Sequence, residues 1–114
     1  MLPYRLTATA AADLRRVLRW SGKQFGPDQR AAYAGLIERA LGMAAEDPNR
    51  IGSRDRSDLA PGVRSFRIDL AAARRGAASH IIYYVLGPAE AAQTGIVVLR
   101  ILHEGMLAER HVVR

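Results

Sequence analysis

The spacing of apolar residues changes along the chain, and each change marks a different kind of element. Tyr4, Arg5 and Leu6 make a short strand-like start. Thr7 then offers its hydroxyl to the unpaired N–H groups of a helix that begins near Ala8. Over about 18 residues Ala11, Leu14, Leu18 and Phe25 recur near the helical period, with Ala10 and Val17 beside them. Asp13, Arg15, Arg16, Arg19 and Lys23 take the opposite side, so the helix is amphipathic. Gly26 and Pro27 end it and start a second helix, which runs to about Glu46 with Tyr33, Leu36, Ile37, Ala40, Leu41 and Ala44 as its stripe. So short a link makes the pair an antiparallel hairpin.

Between Asp47 and Gly62 the periodicity disappears into a long loop with Arg50, Arg54 and Arg56 among turn-forming residues. Val63 to Leu70 then alternates, with Phe66, Ile68 and Leu70 on one face and Ser65, Arg67 and Asp69 on the other, which predicts a half-buried strand. Ala71 to Ala78 reads as a basic connector. Ser79 to Leu86 and Gly95 to Leu102 are β-branched or aromatic on both faces, as interior strands are, and Gly87, Pro88 and Gly95 bracket the turn between them. Strict alternation groups His103 with Val97, Leu99 and Ile101, and Arg100 with Ile96, Val98 and Leu102. The histidine is therefore expected to be half-buried, and the arginine needs a carboxylate partner or a position at the sheet edge. Tyr83 and Tyr84 point to opposite faces. Met106 is expected to cover the end of the sheet, and His103 to Arg114 fits either a short helix or a tail. The class is α+β: a helical hairpin packed on a three- or four-stranded antiparallel sheet, with Tyr4 to Leu6 as the extra edge strand.

Composition narrows the field further. A chain of 114 residues with 49% apolar and 25% charged residues is expected to form one domain over residues 1–114 rather than a disordered segment. No apolar run approaches the roughly 20 residues that cross a bilayer, the N-terminus lacks a secretory pattern, and there is no cysteine, so a cytoplasmic protein without membrane association is expected. Seventeen basic against eleven acidic residues leave +6, which favours an anionic partner, either nucleic acid or an acidic protein segment. Lys23 is the single lysine, so the positive charge sits almost wholly on guanidinium groups suited to carboxylates and phosphates. His80, His103 and His111 lack ligand spacing, so no metal and no cofactor are assigned. Gly52, Gly62 and Gly76 read as turn residues and match no phosphate-binding loop.

One ordered set of segments carries more than periodicity. Leu99-Arg100-Ile101-Leu102-His103 is followed by Glu104, Gly105 and Met106 and then by Arg110-His111. Upstream stand Tyr4-Arg5-Leu6-Thr7, Ala12-Asp13-Leu14, Phe25-Gly26, Asp47-Pro48, Val63-Arg64-Ser65-Phe66 and Ser79-His80 with Tyr83-Tyr84. Together they resemble the ParE branch of the RelE/ParE toxins of type II toxin–antitoxin systems. The resemblance implies a toxin that poisons DNA gyrase by binding it, and a cognate ParD-like antitoxin that wraps it with a segment folding on binding. Direct nucleic-acid contact is compatible with such a mechanism but not required by it. It further implies target engagement around the sheet and tail, for which Arg64, Arg67, Arg100, His103, Met106, Arg110 and His111 are the candidates, with no catalytic residue.

The RelE branch offers the alternative of ribosome-dependent mRNA cleavage. That chemistry needs a base for a 2′-hydroxyl, cations beside the developing phosphorane and an acid for the leaving oxygen. Arg64, Arg67 and Arg100 are the candidate cations, and His103 or Tyr84 the candidate proton donor. A second nuclease style in the superfamily combines glutamate, arginine and histidine; Arg67 and His103 qualify, but no glutamate lies between Glu46 and Glu90.

Overall fold

A computed structural model describes residues 3–72, 78–88 and 94–112. Most of the expected Ala71 to Ala78 connector, including the turn residue Gly76, and the residues between Pro88 and Thr94 lie outside the described residues. The N-terminal strand β1 (Tyr4–Leu6) leads into helices α1 (Ala8–Phe25) and α2 (Pro27–Glu46). Thr7 caps α1 by accepting the Ala10 N–H, as its position suggests. Gly26 joins the helices at a φ of 92°, a left-handed conformation that a side chain would strain, and Pro27 opens the first turn of α2.

Four strands follow: β2 (Arg54–Asp55), β3 (Arg64–Arg67), β4 (His80–Pro88) and β5 (Thr94–His103). Among the described residues they form, with β1, a five-stranded sheet in the order β1-β5-β4-β3-β2. The α+β class and the helical hairpin hold, but the sheet is mixed, because β1 lies parallel to β5 with Tyr4 opposite Ile96. Both helices and β2 to β4 lie between these two strands in sequence, a connection long enough to bring them side by side in parallel.

The sheet is covered on both faces. Ala10, Val17, Ile37, Ala40, Leu41 and Ala44 of the helices pack on Phe66, Ile82, Tyr84, Ile96, Val98 and Ile101. On the reverse face Val63, Tyr83, Val85, Val97, Leu99 and Leu102 are roofed by Leu59 and Ala60 from the loop and by Ala108 and Val112 from the C-terminal segment. Tyr83 and Tyr84 therefore do face opposite ways, and both are buried.

Three readings of the pattern need correction. First, the strand predicted over Val63 to Leu70 stops at Arg67, and Ile68–Ala72 form a 3-10 helix. There Asp69 is buried and Leu70 exposed, because the tighter turn breaks the two-residue alternation. Second, α1 buries Ala10, Asp13, Val17 and Ser21, so Asp13 points inward, while Phe25 is 61% exposed at the helix end. Leu14 and Leu18 flank this ridge half-buried. Third, β5 carries a bulge. Tyr84 pairs with Val98 but Tyr83 with Arg100, which leaves Leu99 as an extra residue. Side chains beyond it change faces: Ile101 joins Ile96 and Val98 under the helices, and Leu102 joins Val97 and Leu99. His103 accordingly lies opposite His80 and is exposed, not half-buried.

Thr7 also donates from Oγ1 to the Leu99 carbonyl at 3.2 Å, so it secures both the helix start and the bulge. Thr7→Ala is expected to cost about 1–2 kcal/mol in urea unfolding, and Thr7→Ser much less. Equal losses for the two substitutions would show that packing of the methyl group, rather than the hydroxyl, matters there.

Candidate functional site

The bulge in β5 leaves the Ile101 N–H pointing at α1, and Asp13 meets it. Its Oδ2 accepts that N–H at 3.0 Å and the Arg100 Nε at 2.7 Å, while Oδ1 accepts Arg100 Nη2 and Arg16 Nη1, each at 3.0 Å. Burial by itself would raise the pKa of Asp13, but the bonds from Arg100, Ile101 and Arg16 outweigh it and hold the carboxyl below its ordinary range. The bidentate fork fixes the Arg100 plane, and Nη1 is left to donate to the His111 carbonyl at 2.9 Å. One carboxylate on α1 thus tethers the C-terminal segment, whose Ala108–Arg110 form a short 3-10 helix.

A second cluster gathers where α1, α2, β3, β4 and β5 meet. Buried His80 begins β4, and its Nδ1 is hydrogen-bonded to the Tyr33 hydroxyl over 2.7 Å. Burial lowers its pKa to about 4, with the neighbouring His103 adding to the effect and Glu104 opposing it. Tyr33 is pushed up to about 12, chiefly by burial. The phenol therefore keeps its proton and the imidazole stays neutral, so the pair shares one hydrogen between two uncharged groups. The His103 ring stands edge-on to His80 at 5.5 Å, and its Nδ1 accepts the Gly105 N–H. Beside them Arg67 Nη2 reaches Glu104 Oε2 at 2.8 Å and Asp69 Oδ2 at 3.3 Å, and Nε reaches Asp69 Oδ1. Bonding to Asp69, then to Glu104, raises the pKa of Arg67.

The candidates from the sequence thus fall in three places. Arg67 and His103 share the cluster at the sheet end. Arg100 and His111 belong to the Asp13 tether. Arg64 donates to the Pro48 carbonyl and the Ser53 hydroxyl, and Tyr84, fully buried, donates to the same Pro48 carbonyl, so this pair pins the loop before β2. Met106, at 39%, and Arg110 are exposed. Sequence reasoning missed Asp13, Tyr33, His80 and Glu104 as members of these networks. Asp13 had the one available signal, an acidic residue at helical spacing from the buried Ala10 and Val17. Among the described residues no group of three or more His, Asp or Glu side chains is placed to hold a metal ion.

A family model described as the ParE toxin of the type II toxin–antitoxin system, parDE, matches residues 4–108. The chain belongs to the ParE toxin family. It is 32% identical over 111 residues to Toxin ParE1 of Caulobacter vibrioides, covering 97% of this chain and 98% of that protein. It is also 29% identical over 106 residues to Toxin ParE of Escherichia coli, covering 93% and 88%. Membership of a type II system implies an antitoxin partner. The matched range takes in Asp13, Arg100 and the sheet-end cluster but stops before Arg110 and His111, so the ParE tether reaches past the family's matched segment.

Removing the Asp13 carboxylate strands a half-buried guanidinium and a buried N–H. Asp13→Ala is expected to lose about 3–5 kcal/mol in urea unfolding. Hydrogen exchange should accelerate at the Arg110, His111 and Val112 amides more than in β4; uniform acceleration would dissolve the tether.

Histidine in an unfolded chain titrates near 6.5 and folded His80 at about 4, so between these values the unfolded chain binds the extra proton. Stability is complete above pH 6.5 and falls as pH drops toward 4, by about 3 kcal/mol in all. His80→Asn, whose amide can still pair with the Tyr33 hydroxyl in either direction, is expected to flatten thermal melts across that window. An unchanged slope would assign the acid sensitivity to other groups.

Proposed function

We propose that this ParE-family toxin poisons DNA gyrase by binding it, breaks no bond itself, and is neutralised by a ParD-like antitoxin with a segment that folds as it wraps the toxin. The reading takes residues 1–114 as one toxin domain acting in the cytoplasm, and it invokes no cofactor. No helix among the described residues is long and apolar enough to cross a membrane.

The observation that carries it is the commitment of the cations. Arg64 is bound to Pro48 and Ser53, Arg67 to Asp69 and Glu104, and Arg100 to Asp13 and His111. Groups held by the protein's own acceptors suit the shaping of a surface better than the neutralisation of a phosphorane, which requires donors preorganised around empty space. Within the target-binding set Arg67, His103, Met106 and Arg110 are exposed and take the contact role. Arg64, Arg100 and His111 hold loop and tail in place.

A second reading has one observation in its favour. Glu104, immediately after His103, brings to Arg67 the carboxylate that the sequence between Glu46 and Glu90 lacks, and this matches the glutamate, arginine and histidine set of a ribosome-dependent mRNA endoribonuclease.

The two readings part in one comparison. Purified toxin is expected to accumulate gyrase cleavage complexes or block supercoiling while leaving ribosome-bound mRNA intact. Joint replacement of Arg67 and Arg110 by Gln should cut that effect at least tenfold, whereas His103→Gln should change it little. A nuclease would instead lose about 10²-fold or more of RNA cleavage in His103→Gln, with gyrase untouched by the parent protein.

A further inference from the structure

The outer face of α1 is the most basic surface the helices present, and neither the antitoxin nor the gyrase reading uses it. Arg15, Arg19 and Lys23 are exposed, four residues apart, so their stems leave the helix about 6 Å apart along its axis. They form no ion pair among the described residues. Arg16 lies alongside with 68% of its side chain exposed, although one of its nitrogens bonds to Asp13. Arg30, from the first turns of α2, lays its stem over Gly22, close enough that a Cβ there would meet it at 3.2 Å. That brings a further cation to the same end of the strip.

This strip borders an open aromatic cleft. Trp20, 44% exposed, sits between the basic face and the core and packs edge-on to Phe25, which is 61% exposed. Between the helix ends and the start of β4 they open onto a cavity of about 280 Å³, lined also by Tyr33, Ser21, Gln29 and Ser79. Its volume lies just under the roughly 300–1,000 Å³ of small-molecule sites, which suits one planar heterocycle. The walls combine the three aromatic residues with Ala32, Leu36 and Ala78, and Ser21, Gln29 and Ser79 add polar residues to the lining.

We propose that α1 is a single-stranded nucleic-acid site: phosphates track along Arg15, Arg19 and Lys23, and an unpaired base stacks on Trp20 in the Phe25–Tyr33 cleft. Basic strips interleaved with accessible aromatics bind single strands in this way, because every base has a face to stack and every link a phosphate to neutralise. A base edge also offers donors and acceptors to Ser21, Gln29 and Ser79, which an apolar peptide side chain would leave without partners. A duplex keeps its bases paired and stacked and has nothing to place in the cleft. The site stands apart from the gyrase reading, and its test contains no gyrase.

Trp20 is the chain's single tryptophan, so its fluorescence reports the cleft directly. The full chain is titrated with a mixed-sequence 12-nucleotide DNA strand, the RNA strand of the same sequence, their blunt duplexes and a poly-glutamate of matched charge. Either single strand should quench Trp20 at least twofold more than its duplex, and the tighter of the two identifies DNA or RNA as the ligand. With three phosphates neutralised, log K should fall with log[salt] at a slope of about −2. The R15Q/R19Q/K23Q variant should lose most of that slope. Trp20→Leu, followed by anisotropy of a labelled strand, should weaken binding about tenfold while circular dichroism stays unchanged. The surface variant keeps the test valid if Trp20→Leu misfolds. Equal quenching by duplex or poly-glutamate, or an unaltered slope in the triple variant, would overturn the proposal and make α1 a nonspecific anion surface or an acidic-peptide site.

Discussion

The architecture turns on a single buried carboxylate. A bulge in β5 adds Leu99 to a ladder that would otherwise alternate regularly; pairing with β4 resumes from Arg100 to His103, but on the other side β1 ends opposite Val98. Asp13 takes the Ile101 N–H, and Thr7 donates to the Leu99 carbonyl, so α1 supplies what the neighbouring strand cannot. An unpaired N–H at this depth would cost about 1–3 kcal/mol, and a buried carboxylate without a cation far more. Each therefore requires the other, and Arg100 completes the set by neutralising the charge.

That arrangement decides what lies on each side of the sheet. Because the bulge exchanges faces after Leu99, Ile101 reaches the core under the helices while Leu102 reaches the reverse face. Ala108 and Val112 share the cover of the reverse face with Leu59 and Ala60, and the Arg100 bond to the His111 carbonyl holds the C-terminal pair against it. The ridge of α1, the twist of faces in β5 and the placement of the C-terminal segment are thus three consequences of one polar network.

Electrostatics divides the surface in the same way. Around the sheet, guanidinium groups are tied to Asp13, Asp69, Glu104 and the loop before β2, so their charge shapes the fold before it meets any partner. Along α1 Arg15, Arg19 and Lys23 are exposed and form no ion pair among the described residues, at a spacing set by the helix alone. A toxin that is held by an antitoxin gains from this division, since a rigid sheet end and a separate basic strip can be engaged independently.

Most of the element order was legible in the chain itself. Periods near 3.6 and 2 are local properties of backbone geometry, and Thr7, Gly26 and Pro27 act on the few N–H and carbonyl groups beside them, so both helices and the two long strands follow from neighbours in sequence. The ordered motifs likewise carried the family, although they could not arrange its residues in space. The tertiary structure alone decided the parallel placement of β1, the bulge at Leu99, the turn after Arg67 that sends Asp69 inward, and the burial of Asp13 on what reads as a polar face. It also brought Tyr33 to His80 across 47 residues and Asp13 to Arg100 across 87. Such choices lie beyond pattern because they balance desolvation of a charge against hydrogen bonds from distant segments, and that balance exists only once the helices are docked on the sheet.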